Sequence, residues 1–378
     1  MDVAKILEEY AGRSKKVTIG VLGGHSALDI CQGATKLGFD TVVVCQKGRE
    51  KTYEKYYRRR DGYDGEKGCV GNVILVDKFE NILDESVQEE LRALNTVFVH
   101  NRYFWVYFSD FEKVEKEFRV PIFGIREGVK LEERDVEKNQ YYLLEKAGIR
   151  IPRMFEKPEE IDCLAIVKVN EAERGYERAF FFADSAESFR EEGGKRVESG
   201  LITQEALDNA VIEEYIVGAH VNLNYFYSAL DDEVELMGTD TRRQTNLDGF
   251  LRLPAQEQEM VRKYMEPSMI ESGHYAVTMK ESLVEKAYAI GEKFVETMKK
   301  EVAPGMIGPF ALQGAVASGK GKEEFVIFDV SMRIPGSPGT KFTPYSGYLY
   351  GESLSYGERV AMEIKRAVEE GRLDEIVT

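Results

Sequence analysis

Gly308-Pro-Phe-Ala-Leu-Gln313, followed after a short loop by Phe325-Val-Ile-Phe-Asp-Val-Ser-Met-Arg333, decides how the rest of the chain is read. Two apolar runs of strand length each carry one polar residue able to face inward, Gln313 and Asp329. Side chains alternate faces along a strand, so one oxygen-bearing side chain among apolar neighbours can be aimed at a ligand. On neighbouring antiparallel strands two such oxygens can hold Mg²⁺ (or Mn²⁺), ions that prefer carboxylate and carbonyl oxygens together with phosphate. Arg333, four residues after Asp329, is placed to meet an anion at the strand end. The plain alternative is a hairpin with two polar residues facing water, and this stretch alone does not separate the two.

Working outward, 378 residues imply two or three domains, and 43% apolar residues suffice for real cores. A net charge of −16 argues against a nucleic-acid binder or a protein of acidic membranes, while leaving room for one positive pocket. The start, Met1-Asp-Val-Ala-Lys5, is too polar for a signal peptide, and no apolar run approaches membrane-spanning length. The four cysteines (31, 45, 69 and 163) form no CxxC pair, so a zinc site is not expected. A cytoplasmic protein without nucleic-acid or membrane partners is the expectation.

The first third alternates strands and helices. Strands are expected at 17–22, 41–45, 72–77, 96–100 and 120–124, with helices at 1–14, 28–37, 84–94 and 109–118. That rhythm specifies a doubly wound parallel sheet. Residues 50–71, with the run Tyr56-Tyr-Arg-Arg-Arg-Asp-Gly-Tyr63, break it and read as an inserted surface loop. A charged helix is expected over 132–148, with Gly148 as its C-cap and Pro152 restraining the exit. Beyond it the chain changes character. Strands are expected at 163–170, 177–184, 211–217, 219–229, 233–240, 310–318 and 324–333, and helices at 185–192, 203–209, 281–300 and 356–371. This half reads as α+β with antiparallel sheets. The division expected is 1–128 (with the 50–71 insertion), 129–230 and 231–378.

Three further groups carry chemistry. Lys168 ends the buried run Cys163-Leu-Ala-Ile-Val-Lys-Val169, and a lysine there needs a counter-charge. A phosphate suits it, since residues 170–176 turn towards a second strand; a solvated lysine on an edge strand is the alternative. Val211-Ile-Glu-Glu-Tyr-Ile-Val-Gly218 offers a carboxylate pair and a backbone stretch fit for an adenine edge. His25, in Gly23-Gly24-His25-Ser26, follows the first strand directly, where doubly wound sheets bind ligands. Backbone N–H groups there favour phosphate, and Ser26 can cap the following helix. His25 can handle a proton near neutral pH, or merely pack. His100 also ends a strand of this sheet and is a candidate pocket residue.

The order of these parts is that of the ATP-grasp superfamily: an Ala-Gly-Ile-x-x-Pro helix exit, a strand lysine, a Glu-Glu hinge, then Gln and acid on paired strands. More closely, the chain resembles the archaeal formate-dependent FAICAR synthetases (the PurP family). The matching segments include Leu22-Gly-Gly-His-Ser-Ala-Leu-Asp-Ile30, Ile212-Glu-Glu-Tyr-Ile-Val-Gly218, Asn246-Leu-Asp-Gly249, Pro304-Gly-Met-Ile-Gly-Pro-Phe310 and Phe328-Asp-Val-Ser331. The resemblance covers nearly the full length apart from the insertion.

It implies a pre-ATP-grasp parallel domain followed by an ATP-grasp fold. It implies an ATP-dependent ligase of purine (IMP) biosynthesis joining formate to the amine of AICAR through formyl phosphate, with Mg²⁺ or Mn²⁺ and a trimeric or hexameric homo-oligomer. Carried over residue by residue, it assigns Lys138, Lys168, Glu213, Glu214, Tyr215 and Ile216 to ATP. It assigns His25, Ser26, His100, Arg102, Arg242 and Asn246 to substrate, Gln313 and Asp329 to metal, and His25 and Arg333 to catalysis. The chain also departs from the family pattern. The loop at 170–178 carries glutamates where phosphates would lie, Arg102 stands for a serine, Asp329 for the usual Glu, and 335–341 reads Pro-Gly-Ser-Pro-Gly-Thr-Lys. These departures mark a divergent paralogue and open two alternatives: a ligase for another carboxylate and amine, or a catalytically silent nucleotide binder.

Overall fold

Alternating β-branched runs and amphipathic helices build the N-terminal part as expected. The computed structural model describes residues 3–11, 16–62, 65–108, 111–133, 136–169, 180–265, 267, 270–319 and 322–378. Strands β1 (Thr18–Leu22), β2 (Asp40–Gln46), β5 (Asn72–Val76), β6 (Thr96–Val99) and β7 (Ile122–Phe123) form a parallel sheet in the order β5-β2-β1-β6-β7. Strands β3 (Arg60–Gly62) and β4 (Gly65–Lys67) make a separate hairpin. The 50–71 insertion is thus more than a loop. A short π-helical turn, Lys51–Tyr56, precedes the hairpin, Tyr53, Cys69 and Val70 are buried, and Arg59 bridges Glu66 (2.9 Å) and Asp40 (3.2 Å). Three scattered apolar anchors, invisible to periodicity, fasten it down.

The charged helix expected over 132–148 is shorter. A 3₁₀ turn spans Lys130–Glu132, and the α-helix starts at Gln140 and ends at Lys146. Asn139 sets the start: its side chain accepts from the backbone N–H of Tyr141 and Tyr142, both at 3.1 Å.

The rest is antiparallel. Strands β8 (Met154–Phe155), β9 (Ala165–Lys168), β10 (Phe180–Ala183) and β11 (Val211–Glu214) pair in the order β10-β9-β11-β8. Strands β12 (Ala219–Ser228), β13 (Glu233–Gln244), β14 (Glu271–Ala276), β15 (Gly308–Gly319) and β16 (Lys322–Ser331) form a third sheet, β14-β13-β12-β15-β16. The 219–228 strand, expected with the smaller unit, therefore pairs with β13 and β15 of the larger one, and the chain changes sheets at 215–218. Strand β14 escaped the sequence reading because Glu-Ser-Gly-His-Tyr-Ala lacks apolar alternation. Helices Thr245–Phe250 and Ala255–Val261, between β13 and β14, bury no residue and gave no amphipathic signal.

The parallel and third sheets share one core. Its tightest joint is where helix Tyr356–Glu370 crosses helix Ala27–Lys36: a Cβ on Gly357 would lie 1.9 Å from the carbonyl oxygen of Asp29, and one on Gly33 would lie 2.0 Å from the Gly357 carbonyl carbon. The Gly357 N–H also donates to the Asp29 carboxylate at 3.0 Å. Backbone cannot yield as a side-chain tip does, so Gly357→Ala is expected to destabilise the chain by about 2–3 kcal/mol, in the range of overpacked cores. Urea unfolding checks this, and an unchanged midpoint would contradict it. The crossing fixes the helix that begins two residues after His25, and so the His25 loop itself.

Candidate functional site

Lys168 ends β9 and is buried. Its Nζ forms an ion pair with Glu213 on the neighbouring β11 and donates to the Phe328 carbonyl at 3.3 Å. In the strand register Lys168 faces Val211, so Glu213, two residues on, lies on the same side. The other oxygen of Glu213 accepts from the Tyr141 hydroxyl at 2.9 Å. Beside this pair runs a row of rings: Phe182 to Tyr215 (4.9 Å), Tyr215 to His220 (6.5 Å) and His220 to Phe328 (5.6 Å). A buried cation next to an aromatic slot suits a nucleotide.

One ATP-side expectation needs correction, and the other residues meet partners within the chain. Glu213 and Glu214 are not a pair, because successive strand residues face opposite ways; the Glu214 carboxylate meets the Arg153 backbone N–H at 3.4 Å instead. The Tyr215 N–H is committed to the Leu164 carbonyl (2.9 Å), while Ile216 is buried in an apolar cluster with Ala315 and Val326. Lys138 is engaged away from this group, donating to the Glu301 carbonyl at 2.8 Å with the Glu301 carboxylate at 3.3 Å. The expected phosphate loop, 170–178, lies outside the described residues.

Strands β15 and β16 set Gln313 opposite Asp329, as their spacing suggested, and the register shifts beside that pair. Such a bulge re-aims side chains. Here Phe328 turns to Lys168 and His220 while Asp329 turns to Gln313 and Arg242. Arg242, on β13, sets Nη2 against Gln313 Oε1 and 3.8 Å from Asp329 Oδ2. The two oxygens already face a cationic group, and an amide carbonyl with a carboxylate is a donor set that fits Mg²⁺.

The third group lies at the carboxyl end of the parallel sheet. Asn101 Nδ2 donates to the carbonyls of Leu22 (3.0 Å) and His25 (2.8 Å), locking the His25 loop. Ser26 adopts φ 65° and does not cap its helix; its hydroxyl donates to the Pro335 carbonyl at 2.9 Å. That contact closes the 335–341 turn over His25, and a Cβ on Gly336 would overlap the imidazole at 2.0 Å. His100 and Arg333 are 3% and 4% exposed. Arg333 Nη2 lies 3.3 Å from Glu132 and its Nη1 donates to the Ile334 carbonyl at 3.3 Å. Arg333 Nε, His25 Nδ1 and both His100 ring nitrogens are buried without a well-formed partner. Buried nitrogens of this kind are rare without water, an ion or a ligand to complete them.

Burial, reinforced by Arg333, pushes both His25 and His100 down to about 3. Both rings are neutral at pH 7, so the expectation that His25 titrates near neutrality is replaced by a neutral hydrogen-bonding role. Arg102 feels Arg333, Glu132, Asp329 and Arg242, which places it in the same pocket. Asn246 is half-buried in helix Thr245–Phe250, four residues past Arg242.

Sequence reading missed Glu132, Asp240 and Glu271, and assigned no role to His274. Asp240 is fully buried and accepts from Asn224 (2.7 Å) and Asn222 (3.3 Å). His274 Nδ1 bonds Asp240, and its Nε2 lies 2.8 Å from Glu271. Burial lowers the His274 pKa, but the hydrogen bonds and charges of Asp240 and Glu271 outweigh it and lift the ring to about 9. With the folded pKa raised above the unfolded value of 6.5, this group's stabilisation is complete below pH 6.5 and is lost as pH rises to about 9. Wild type minus His274→Gln should show stability falling across that window, by up to about 1.4 kcal/mol per pH unit. Parallel pH profiles of the two melts would contradict it.

Comparison with known proteins completes the picture. A family described as a domain of unknown function (DUF1297) matches residues 188–378, and one described as a protein of unknown function (DUF1246) matches residues 19–155. Over its whole length the chain is 41% identical to the 5-formaminoimidazole-4-carboxamide-1-(beta)-D-ribofuranosyl 5'-monophosphate synthetase of Methanothermobacter thermautotrophicus, covering 98% of that protein. It is 37% identical to the protein of the same name from Methanopyrus kandleri, covering 99% of it. The crystal structure of an IMP biosynthesis protein PurP from Thermococcus kodakaraensis matches with a TM-score of 0.70 and 26% identity over 95% of this chain and 100% of that one. N5-carboxyaminoimidazole synthetase from Staphylococcus aureus complexed with ADP shares the fold, with a TM-score of 0.56 and 14% identity over 90% of this chain and 79% of that one. A parallel sheet followed by these antiparallel sheets is the ATP-grasp architecture. On full-length identities of 41% and 37%, this chain belongs to the 5-formaminoimidazole-4-carboxamide-1-(beta)-D-ribofuranosyl 5'-monophosphate synthetase family.

Proposed function

We propose that this chain is an ATP-dependent C–N ligase that joins formate to the 5-amino group of AICAR. The observation that carries the reading is the convergence of three parts. A buried lysine stands beside an aromatic slot, an oxygen pair suits a hard cation, and neutral imidazoles with Arg333 present unpartnered nitrogens at the end of the parallel sheet. Formate is a poor electrophile. Transfer of the γ-phosphoryl group to a formate oxygen gives formyl phosphate and ADP. The amine then attacks the formyl carbon, the C–O bond to phosphate breaks, and the amine loses a proton.

In this reading Lys168 neutralises nucleotide phosphate, and the row from Phe182 to Phe328 holds the base. A divalent cation, Mg²⁺ or Mn²⁺, held by Gln313 and Asp329 would neutralise phosphate oxygens when bound. Arg333, Arg102 and neutral His25 and His100 orient the carboxylate and the AICAR side, so catalysis is positioning with fixed charges. The test is ADP release with each substrate omitted in turn. Release that requires formate, with turnover that requires AICAR as well, supports the ligase. ATP binding with no response to either would make the chain a silent nucleotide binder.

One observation favours a variant reading. Arg102, half-buried, adds a second guanidinium that feels the charge of Arg333, and two such groups suit a carboxylate bearing another anionic group. Faster ADP release with a short dicarboxylate than with formate would establish that version. For assembly the reading is a cytoplasmic homo-oligomer, trimer or hexamer. Exposed Phe342 (81%) and Tyr348 (78%) support a covered surface there, and sedimentation tests it. No described helix is long and apolar enough to cross a membrane.

A further inference from the structure

The Gln313–Asp329 pair faces a cation that belongs to the chain itself. Arg242 reaches over from β13, its Nη2 against Gln313 Oε1 and 3.8 Å from Asp329 Oδ2. The Nε end lies 3.4 Å from Glu271 Oε2, an ion-pair contact without a formed hydrogen bond. Glu271 is itself held, because its Oε1 lies 2.8 Å from His274 Nε2 and His274 bonds the fully buried Asp240. The β13–β14 register sets Arg242 directly opposite His274. Strand pairing therefore fixes the backbone positions from which Arg242 and His274 reach Glu271.

Two oxygens that suit a hard divalent ion cannot serve that ion and a guanidinium together. An ion bound at the roughly 2.1 Å typical of Mg²⁺ would stand within a few ångströms of Nη2, and like charges that close repel strongly in a partly dry site. A neutral pair of ligands would have no such competitor. The chain instead places a positive group there and supplies a carboxylate, Glu271, that holds on to the same side chain from behind.

We propose that Arg242 is the resident counter-cation of the Gln313–Asp329 pair and exchanges with the divalent ion, its tip leaving the pair while Nε stays on Glu271. The inference rests on reading Gln313 and Asp329 as the metal ligands. It makes Arg242 a positioning residue with two stations. Without the ion it adds positive charge beside Asp329. With the ion bound, its tip turns to the side where Arg102 and Arg333 face the substrate, so metal and anionic substrate favour each other's binding.

The test is Mn²⁺ titration of nucleotide-free protein, with free Mn²⁺ read by electron paramagnetic resonance at fixed pH and salt. Arg242→Gln, which removes the competing charge, is expected to bind Mn²⁺ about tenfold tighter than wild type. Arg242→Lys keeps the charge and should stay near the wild-type affinity. A gain in affinity is a readout that damage to the fold would not produce. Asp329→Asn should weaken Mn²⁺ binding in both backgrounds. Equal or weaker binding by Arg242→Gln, with Asp329→Asn still weakening it, overturns the exchange and leaves the metal ligands standing. A tenfold gain in Arg242→Lys also overturns it, since shape rather than charge would then decide. Binding indifferent to Asp329→Asn overturns it by removing the metal from the pair, and with it that part of the proposed function.

Discussion

Lys168→Ala should abolish ATP turnover. The lysine is the buried cation of the nucleotide side, and its pairing with Glu213 holds it in place. A charge-assisted contact to phosphate contributes about 1.5–3 kcal/mol, or roughly 10- to 150-fold in nucleotide affinity. The single variant also strands Glu213, still bonded to Tyr141, as an uncompensated buried carboxylate. Breaking such a pair costs about 3–5 kcal/mol, so the single variant should melt lower as well. Lys168→Ala with Glu213→Gln separates the effects, because neutralising both partners should recover stability without recovering ATP binding. Wild-type nucleotide affinity in the double variant would remove Lys168 from the site.

The second large effect is expected at His25. His25→Ala should leave ATP affinity unchanged and lower product formation about 10²–10³-fold, the loss typical of one preorganised donor. The argument rests on how firmly the ring is set. Asn101 pins its backbone carbonyl, Gly336 packs against the imidazole, and Ser26 ties the loop to Pro335. A ring so placed does not reorganise during the reaction. Because burial holds the His25 pKa near 3, its protonation should impose no acid limb on kcat/KM between pH 5 and 8. A limb near pH 6.5 that disappears in His25→Asn would show instead that the ring titrates while working. Weakened ATP binding in His25→Ala would move the residue to the nucleotide side.

The parallel sheet, the strand lysine, the Glu213 hinge and the Gln313–Asp329 pair were all readable in the chain. Each sits in an apolar run whose period names the element and against which the few polar residues stand out. What escaped shares the opposite property. Strand β14 is polar and exposed at the sheet edge, so His274 and Glu271 had no pattern to reveal them. Glu132 lies in a short 3₁₀ turn, and its link to Arg333 spans 201 residues of sequence. Lys138, assigned to ATP by the resemblance, falls in the span expected as a charged helix, but Asn139 starts that helix later and leaves Lys138 outside it at φ 57°. Ser26 was expected as a cap because its position is right, but its left-handed backbone turns the hydroxyl to Pro335. Local pattern thus reports the elements, whereas long-range pairing decides which polar groups meet.

The most direct test of the central claim follows one oxygen atom. With [¹⁸O]formate, ATP and AICAR, the proposed route passes a formate oxygen to the γ-phosphoryl group and leaves it on phosphate when the amine attacks. Phosphorus NMR of the released phosphate should show one ¹⁸O per formylated product. Product formed with unlabelled phosphate would contradict a formyl phosphate intermediate, and unchanged ATP with no product would contradict the ligase itself.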